Sequence, residues 1–159
     1  MAENDILKEI KMRQIGEGDE ALIADFFAVM GAESRALFNR RGYNERGVLK
    51  YCARPDATRK YWMAELDGKM AGYVFFLDWN SSIPCMGVAV RDDLRGMGIG
   101  TFLVSFAQNT AKAAGKGGLF LSTHTANLRA QVLYEELGFE CMGLCKNGTE
   151  LFYLFRYRE

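Results

Sequence analysis

The residues best placed to do chemistry are Arg95-Gly96-Met97-Gly98-Ile99-Gly100, followed by Thr101. They lie between an apolar, strand-like run, Met86 to Val90, and a clean amphipathic helix pattern. Glycines at alternating positions let a backbone approach something bulky. A helix starting here leaves a row of N–H groups directed out of its N-terminus, where the partial positive charge suits a phosphate. Arg95 adds a full charge. Motif grammar narrows the ligand. A Walker loop would carry Lys before Ser or Thr, and Thr101 has no such Lys before it. A dinucleotide fingerprint reads Gly-x-Gly-x-x-Gly after an opening strand, whereas this chain reads Gly-x-Gly-x-Gly late in its length. A glycine-rich turn without any ligand is the plain alternative.

The elements that must position this loop can be read from periodicity. Lys8 to Ile15 alternates as a first strand and ends at Gly16-Glu17-Gly18. Asp19 is placed as an N-cap for a helix carrying Leu22, Ile23, Phe26, Phe27 and Met30. A second helical piece spans Glu33 to Arg40, and after Gly42 a third starts at Asn44 and stops before Pro55. Lys60 to Leu66 and Met70 to Leu77 are strands joined by Asp67-Gly68, a strong hairpin signal. Ile83 to Val90 is the next strand, with Pro84 near its start. A helix follows the glycine loop with Ile99, Phe102, Leu103, Phe106, Ala107 and Ala113 on one stripe. Leu119 to Thr123 reads as a buried strand. Asn127 precedes a helix bearing Ala130, Leu133, Tyr134 and Leu137, ended by Gly138. Cys141 to Cys145 and Leu151 to Tyr157 close the pattern through Asn147-Gly148. Such an order implies a mixed sheet with helices packed on it.

Composition bounds the function classes. With 159 residues, a single domain spanning the chain is expected. Lys plus Arg total 20 and Asp plus Glu total 20, so a nucleic-acid partner held by bulk charge is not expected. No apolar run reaches transmembrane length, so no membrane partner is expected. The acidic start, Met-Ala-Glu-Asn-Asp, lacks signal-peptide character, and a cytoplasmic location is the expectation. Cys52, Cys85, Cys141 and Cys145 are scattered and only one His is present, which disfavours a zinc site and suits reduced thiols. Cys85, near a strand end, is a candidate neighbour of an acceptor pocket, with a packed core thiol as the alternative.

The pattern Arg-x-x-Gly-x-Gly, formed by Arg95, Gly98 and Gly100, resembles the pyrophosphate loop of the GNAT superfamily of acyl-CoA N-acyltransferases. A second motif agrees with it in order and separation: Asn127, Ala130, Leu133-Tyr134 and Gly138-Phe139. The resemblance is specific from about Val88 to Phe139. It implies an α/β fold of the α+β type, with a mixed, mostly antiparallel central sheet of about six to seven strands and helices on both faces. It further implies acetyl-CoA as co-substrate, no metal, and an amine acceptor. A homodimer is common in the family, though no residue here proves one.

The resemblance also implies roles. Val88, Ala89 and Val90 would offer backbone to the amide-rich pantetheine arm, as an added strand does. Gly96, Met97, Gly98, Ile99, Gly100 and Thr101 would seat the pyrophosphate, and Arg95 would steady it. Asn127 would contact the cofactor arm, or serve only as a helix cap. Tyr134 matches the family's general acid. A phenol, with a pKa of about 10 against about 8.5 for a thiol, stays protonated and can donate as a thiolate leaves. Its alternative is packing on the apolar stripe. No carboxylate lies on the strand before the loop, so a base must come from elsewhere. His124 is a candidate because an imidazole ordinarily titrates near neutrality, with a structural or exposed role as its alternative; Asp78 and Glu33 are weaker options, and a water chain needs no dedicated residue at all. Phe26, Phe27, Phe38, Tyr43 and Tyr51, with Arg35, Arg40 and Arg41, fall in the acceptor-capping region and serve either a pocket or the core and its solvated face. The rival to an enzyme is a protein of this fold that holds acyl-CoA as a sensor or interaction module without turnover.

Overall fold

The computed structural model describes residues 3–38 and 44–158. In chain order the elements are α1 (Glu3–Glu9), β1 (Lys11–Gln14), α2 (Glu20–Ala28), α3 (Ala32–Phe38), α4 (Glu45–Ala53), β2 (Lys60–Leu66), β3 (Lys69–Leu77), β4 (Cys85–Val90), α5 (Ile99–Ala113), β5 (Gly118–His124), α6 (Leu128–Glu136), β6 (Glu140–Cys145) and β7 (Glu150–Arg156), with a 3-10 turn at Asp92–Leu94 between β4 and α5. The seven strands form one sheet in the order β1-β2-β3-β4-β5-β7-β6. Every neighbouring pair is antiparallel except β4 and β5. This is the mixed, mostly antiparallel sheet that the sequence implies.

Strand alternation divides β3 between two cores. Ala71, Val74 and Phe76 join Leu103, Val104, Ala107, Leu119, Leu121 and Tyr134 on the α5 and α6 face. Tyr73, Phe75 and Leu77 join Ile23, Phe26, Phe27, Val48 and Tyr51 on the α2 and α4 face. Phe26 meets Tyr73 edge-on at 5.4 Å, and Tyr61 stacks on Phe75 at 5.4 Å. Helices therefore cover both faces of the sheet's centre. Phe26, Phe27 and Tyr51 are core residues. Tyr43, Arg40 and Arg41 lie outside the described residues.

Three local expectations are corrected. Glu3–Glu9 is a helix, and the first strand is only Lys11–Gln14. Ile6 and Leu7 pack against the main core from that helix, so the alternation of Ile10 and Met12 does not extend back to Lys8. Asp19 stands at the N-cap of α2 without capping it through its side chain. Arg13 holds both of its oxygens at 2.8 and 2.9 Å, and the Gly16 N–H donates to one at 2.9 Å. β4 begins at Cys85 rather than Ile83, since Pro84 has no N–H for the ladder. Its carbonyl instead accepts from Phe120 at 3.1 Å.

Candidate active site

The parallel pair β4 and β5 share one register partner, Cys85 with Phe120, and then part. Beyond that point their backbones have no sheet partner in each other. A cavity of about 220 Å³ opens at the split. β4 lines it with Val88, Ala89 and Val90, and β5 with Thr123. The glycine loop and start of α5 contribute Leu94, Arg95, Gly96, Gly98, Ile99, Gly100 and Thr101. Asn127, Arg129, Ala130, Leu133 and Tyr134 close it from the start and body of α6, and Leu37 reaches it from α3.

The loop geometry follows from its glycines. Gly96 and Gly98 take φ of 80° and 81°, the left-handed region that side-chain-bearing residues avoid. Gly98 is the N-cap of α5 and has no side chain to cap it. Among the described residues, no side chain caps the start of α5, and first N–H groups left uncapped are the condition for an anion seat. A Cβ on Gly100 would come within 3.3 Å of Leu133 Cδ2, so glycine there lets α5 and α6 close around the cavity. Two guanidinium-bearing residues, Arg95 and Arg129, line the same space. These features fit a pyrophosphate-bearing ligand.

Tyr134 is buried at 3% exposure, with its ring 5.6 Å from Phe139 and 6.0 Å from Tyr153. The chain reverses at Gly138, where Phe139 N donates to the Tyr134 carbonyl at 3.0 Å. That closure pins the end of α6 and fixes Tyr134 against the cavity. Asn127 Oδ1 accepts from Ala130 N at 3.3 Å, so it caps α6 while also lining the cavity. Tyr153 donates to Glu135 at 3.2 Å, and its pKa is pushed up to about 12 by burial first and by the Glu135 charge second.

Upstream of the glycines, Asp92 gathers three donors. Its carboxylate accepts from Gly31 N at 2.7 Å, Ser34 Oγ at 3.0 Å and Arg95 Nη2 at 3.0 Å. Burial pushes the Asp92 carboxyl up, but these donors outweigh it and hold it below the usual carboxylate range. Arg91, only 5% exposed, pairs with Asp25 of α2 and with Asp93 at 2.8 Å. Arg35 caps the end of α2 by donating to the carbonyls of Phe27 and Met30.

Most residues expected at the site are brought together here. Met97 is an exception: it packs against the main core rather than lining the cavity. His124 is another. It ends β5 on the face opposite Thr123, its Nδ1 accepts from Ala126 N at 3.0 Å, and it does not line the cavity. Cys85 lies where β4 and β5 still pair, away from the lining. Leu37, Leu94, Thr123 and Arg129 join the site without having been expected. Arg129 had a signal: a cation in the first turn of a helix opposes the helix dipole unless an anion sits nearby. Among the described residues no helix is long and apolar enough to cross a membrane, and no cluster of His, Cys, Asp or Glu could hold a metal.

A mixed sheet split between two parallel strands, with a glycine-rich helix start in the split, defines a GNAT-type acyltransferase fold. The family model described as Acetyltransferase (GNAT) family matches residues 23–139, and the chain belongs to that family. It is similar to streptothricin acetyltransferase of Streptomyces lavendulae, with 32% identity over 89 residues covering 55% of this chain and 47% of the relative. The chain spans about half the length of the curated relatives it matches. Among solved structures, the GNAT domain of S. lividans PAT superposes with a TM-score of 0.78 at 15% identity, covering 93% of this chain and 90% of that one. YncA of Salmonella typhimurium, a putative acetyltransferase solved with its cofactor acetyl-CoA, gives 0.72 at 23% identity, covering 95% of each chain.

Proposed function

We propose that this protein transfers an acetyl group from acetyl-CoA to a primary amine by direct attack within a ternary complex. The observation that carries this reading is the meeting of the uncapped, glycine-lined start of α5 and the Tyr134 side chain in one cavity at the β4–β5 split. Bound acetyl-CoA would supply the activated acyl group. Gly96, Gly98, Ile99, Gly100 and Thr101 would offer the phosphate seat, with Arg95 beside it. Val88, Ala89 and Val90 would present the backbone that β4 no longer shares with β5, and Asn127 would meet the cofactor arm. Tyr134 would hold a proton for the departing sulfur, a role for which phenols are suited because their reference pKa, about 10, exceeds that of a thiol. The amine's proton would leave through water.

One observation favours a second reading. Among the described residues, the cavity lining contains neither a carboxylate nor an imidazole. A GNAT-fold protein that binds acyl-CoA without turnover fits that lining as well. Calorimetric titration with acetyl-CoA, using NADH and ATP as controls, followed by a free-thiol release assay over a panel of amines, separates the readings. Selective binding with thiol release supports the enzyme. Selective binding without release across the panel supports the sensor. A folded protein that ignores acetyl-CoA contradicts both.

A further inference from the structure

The turn from β4 to the glycine loop is bolted to the α2–α3 segment by two independent charged links. Arg91 reaches Asp25 across 66 positions of sequence. Asp92 reaches Gly31 and Ser34 across 61 and 58. Ser34 is 7% exposed, and its hydroxyl both donates to Asp92 and accepts from Arg95 Nη2 at 2.8 Å. One nitrogen of Arg95 is thus clamped by a carboxylate and a buried hydroxyl. Among the described residues, its Nε and Nη1 make no hydrogen bond. α3, anchored through the same two residues, carries Leu37 to the cavity lining.

We propose that Asp92 and Ser34 are positioning residues that hold one edge of Arg95, present its other edge to the phosphate seat, and tie α3 to that seat as one mechanical unit. The phosphate part rests on the cofactor reading above; the tie to α3 does not. The chemistry is preorganisation. A guanidinium already fixed by a carboxylate loses less side-chain freedom when an anion arrives. A carboxylate that also accepts the backbone N–H at the start of α3 makes the position of that helix depend on the same atom.

Two measurements decide it. In the first, hydrogen–deuterium exchange of the ligand-free protein is compared with Asp92→Ala and with the milder Ser34→Ala, which serves if Asp92→Ala does not fold. Peptides from α3 should exchange about tenfold faster in Asp92→Ala, and by less in Ser34→Ala, while β3 peptides stay unchanged. Unaltered α3 exchange in a folded variant overturns the tie. In the second, acetyl-CoA and S-acetylpantetheine, which lacks the phosphates, are titrated against wild type, Asp92→Ala, Arg95→Ala and the double variant. Asp92→Ala should weaken acetyl-CoA about tenfold, leave S-acetylpantetheine unchanged, and add nothing once Arg95 is gone. Fully additive losses, or equal losses for both ligands, overturn the positioning role. Absence of acetyl-CoA binding by the wild type removes the phosphate part together with the cofactor reading, and the exchange measurement still decides the tie.

Discussion

On the β1–β4 side of the split, β3 is buried at every position from Met70 to Leu77, with helices against both faces; on the far side, β6 is exposed at Glu140, Cys141, Met142 and Leu144. Between these extremes β7 is mostly half-buried, with Tyr153 buried against Tyr134 of α6 while Phe152 stays partly exposed and stacks on Phe120 at 5.5 Å. A strand held between two cores cannot shift without opening both, whereas a strand covered on one face has less to lose. The split falls at the border between the two regimes. β4 therefore gives the cavity a wall held by two cores, while Thr123 and α6 supply a wall held by one. The cavity thus has one wall packed against cores on both of its faces and a second wall packed against a single core.

The sharpest test of this contrast is Phe75→Ala. Phe75 is 1% exposed and stacks with Tyr61, so its loss removes a large ring from the closed half. A destabilisation of about 3–5 kcal/mol is expected in chemical denaturation. A cost near 1 kcal/mol would mean that the core of this half relaxes freely, and the contrast would fail.

At the split itself, Tyr134→Phe should act on turnover rather than on stability. The ring contacts to Phe139 and Tyr153 survive the change, and acetyl-CoA affinity should stay within about twofold. If the phenol donates to the leaving thiolate, kcat should fall about 100-fold. An unchanged kcat across the pH range would remove the acid assignment and leave Tyr134 as packing.

The same contrast governs how much was legible in the sequence. β2 and its hairpin follow from local alternation and Asp67-Gly68, and the observed strand is Lys60–Leu66 as expected. The loop from Arg95 to Thr101 was legible because its chemistry is written in consecutive residues. Some lining residues were not. Leu37, Thr123 and Arg129 come from α3, β5 and α6, and only the tertiary fold makes them neighbours. Arg91 and Asp92 look like ordinary turn residues until their partners, some 60 positions away, are in place. α1 escaped because seven residues with only Ile6 and Leu7 apolar carry little helical periodicity. His124 was misleading in another way: its position one residue beyond Thr123 places it on the opposite face of the strand.

A smaller effect tests the rim of the closed half. Arg13 hydrogen-bonds Asp19 and holds its carboxyl below the usual range, aided by Gly16 N–H and opposed by burial. A carboxyl depressed in the folded state stabilises fully above its unfolded pKa, and that stability is lost as pH falls through the folded value. Acidification below about pH 4 should therefore weaken the wild type more than Asp19→Asn. The difference should be about 1 kcal/mol, reduced because Arg13 is partly exposed. Parallel pH profiles for the two proteins would show that the pair contributes nothing to folding.

The smallest expected change lies on the open half. Leu144 sits on the edge strand β6 and is 66% exposed, so Leu144→Lys removes little buried area. Lysine on an exposed edge is also how many sheets discourage strand-to-strand association. Stability should change by no more than about 0.5 kcal/mol, measured by the same denaturation used for Phe75→Ala. Set beside that variant, the pair measures the contrast directly: two apolar side chains in one sheet, differing several-fold in energetic weight because one is enclosed in the core beneath α2 and α4 and the other faces solvent. A loss above about 2 kcal/mol from Leu144→Lys would mean that β6 is covered in the assembled protein. The open half would then be open only in the isolated chain.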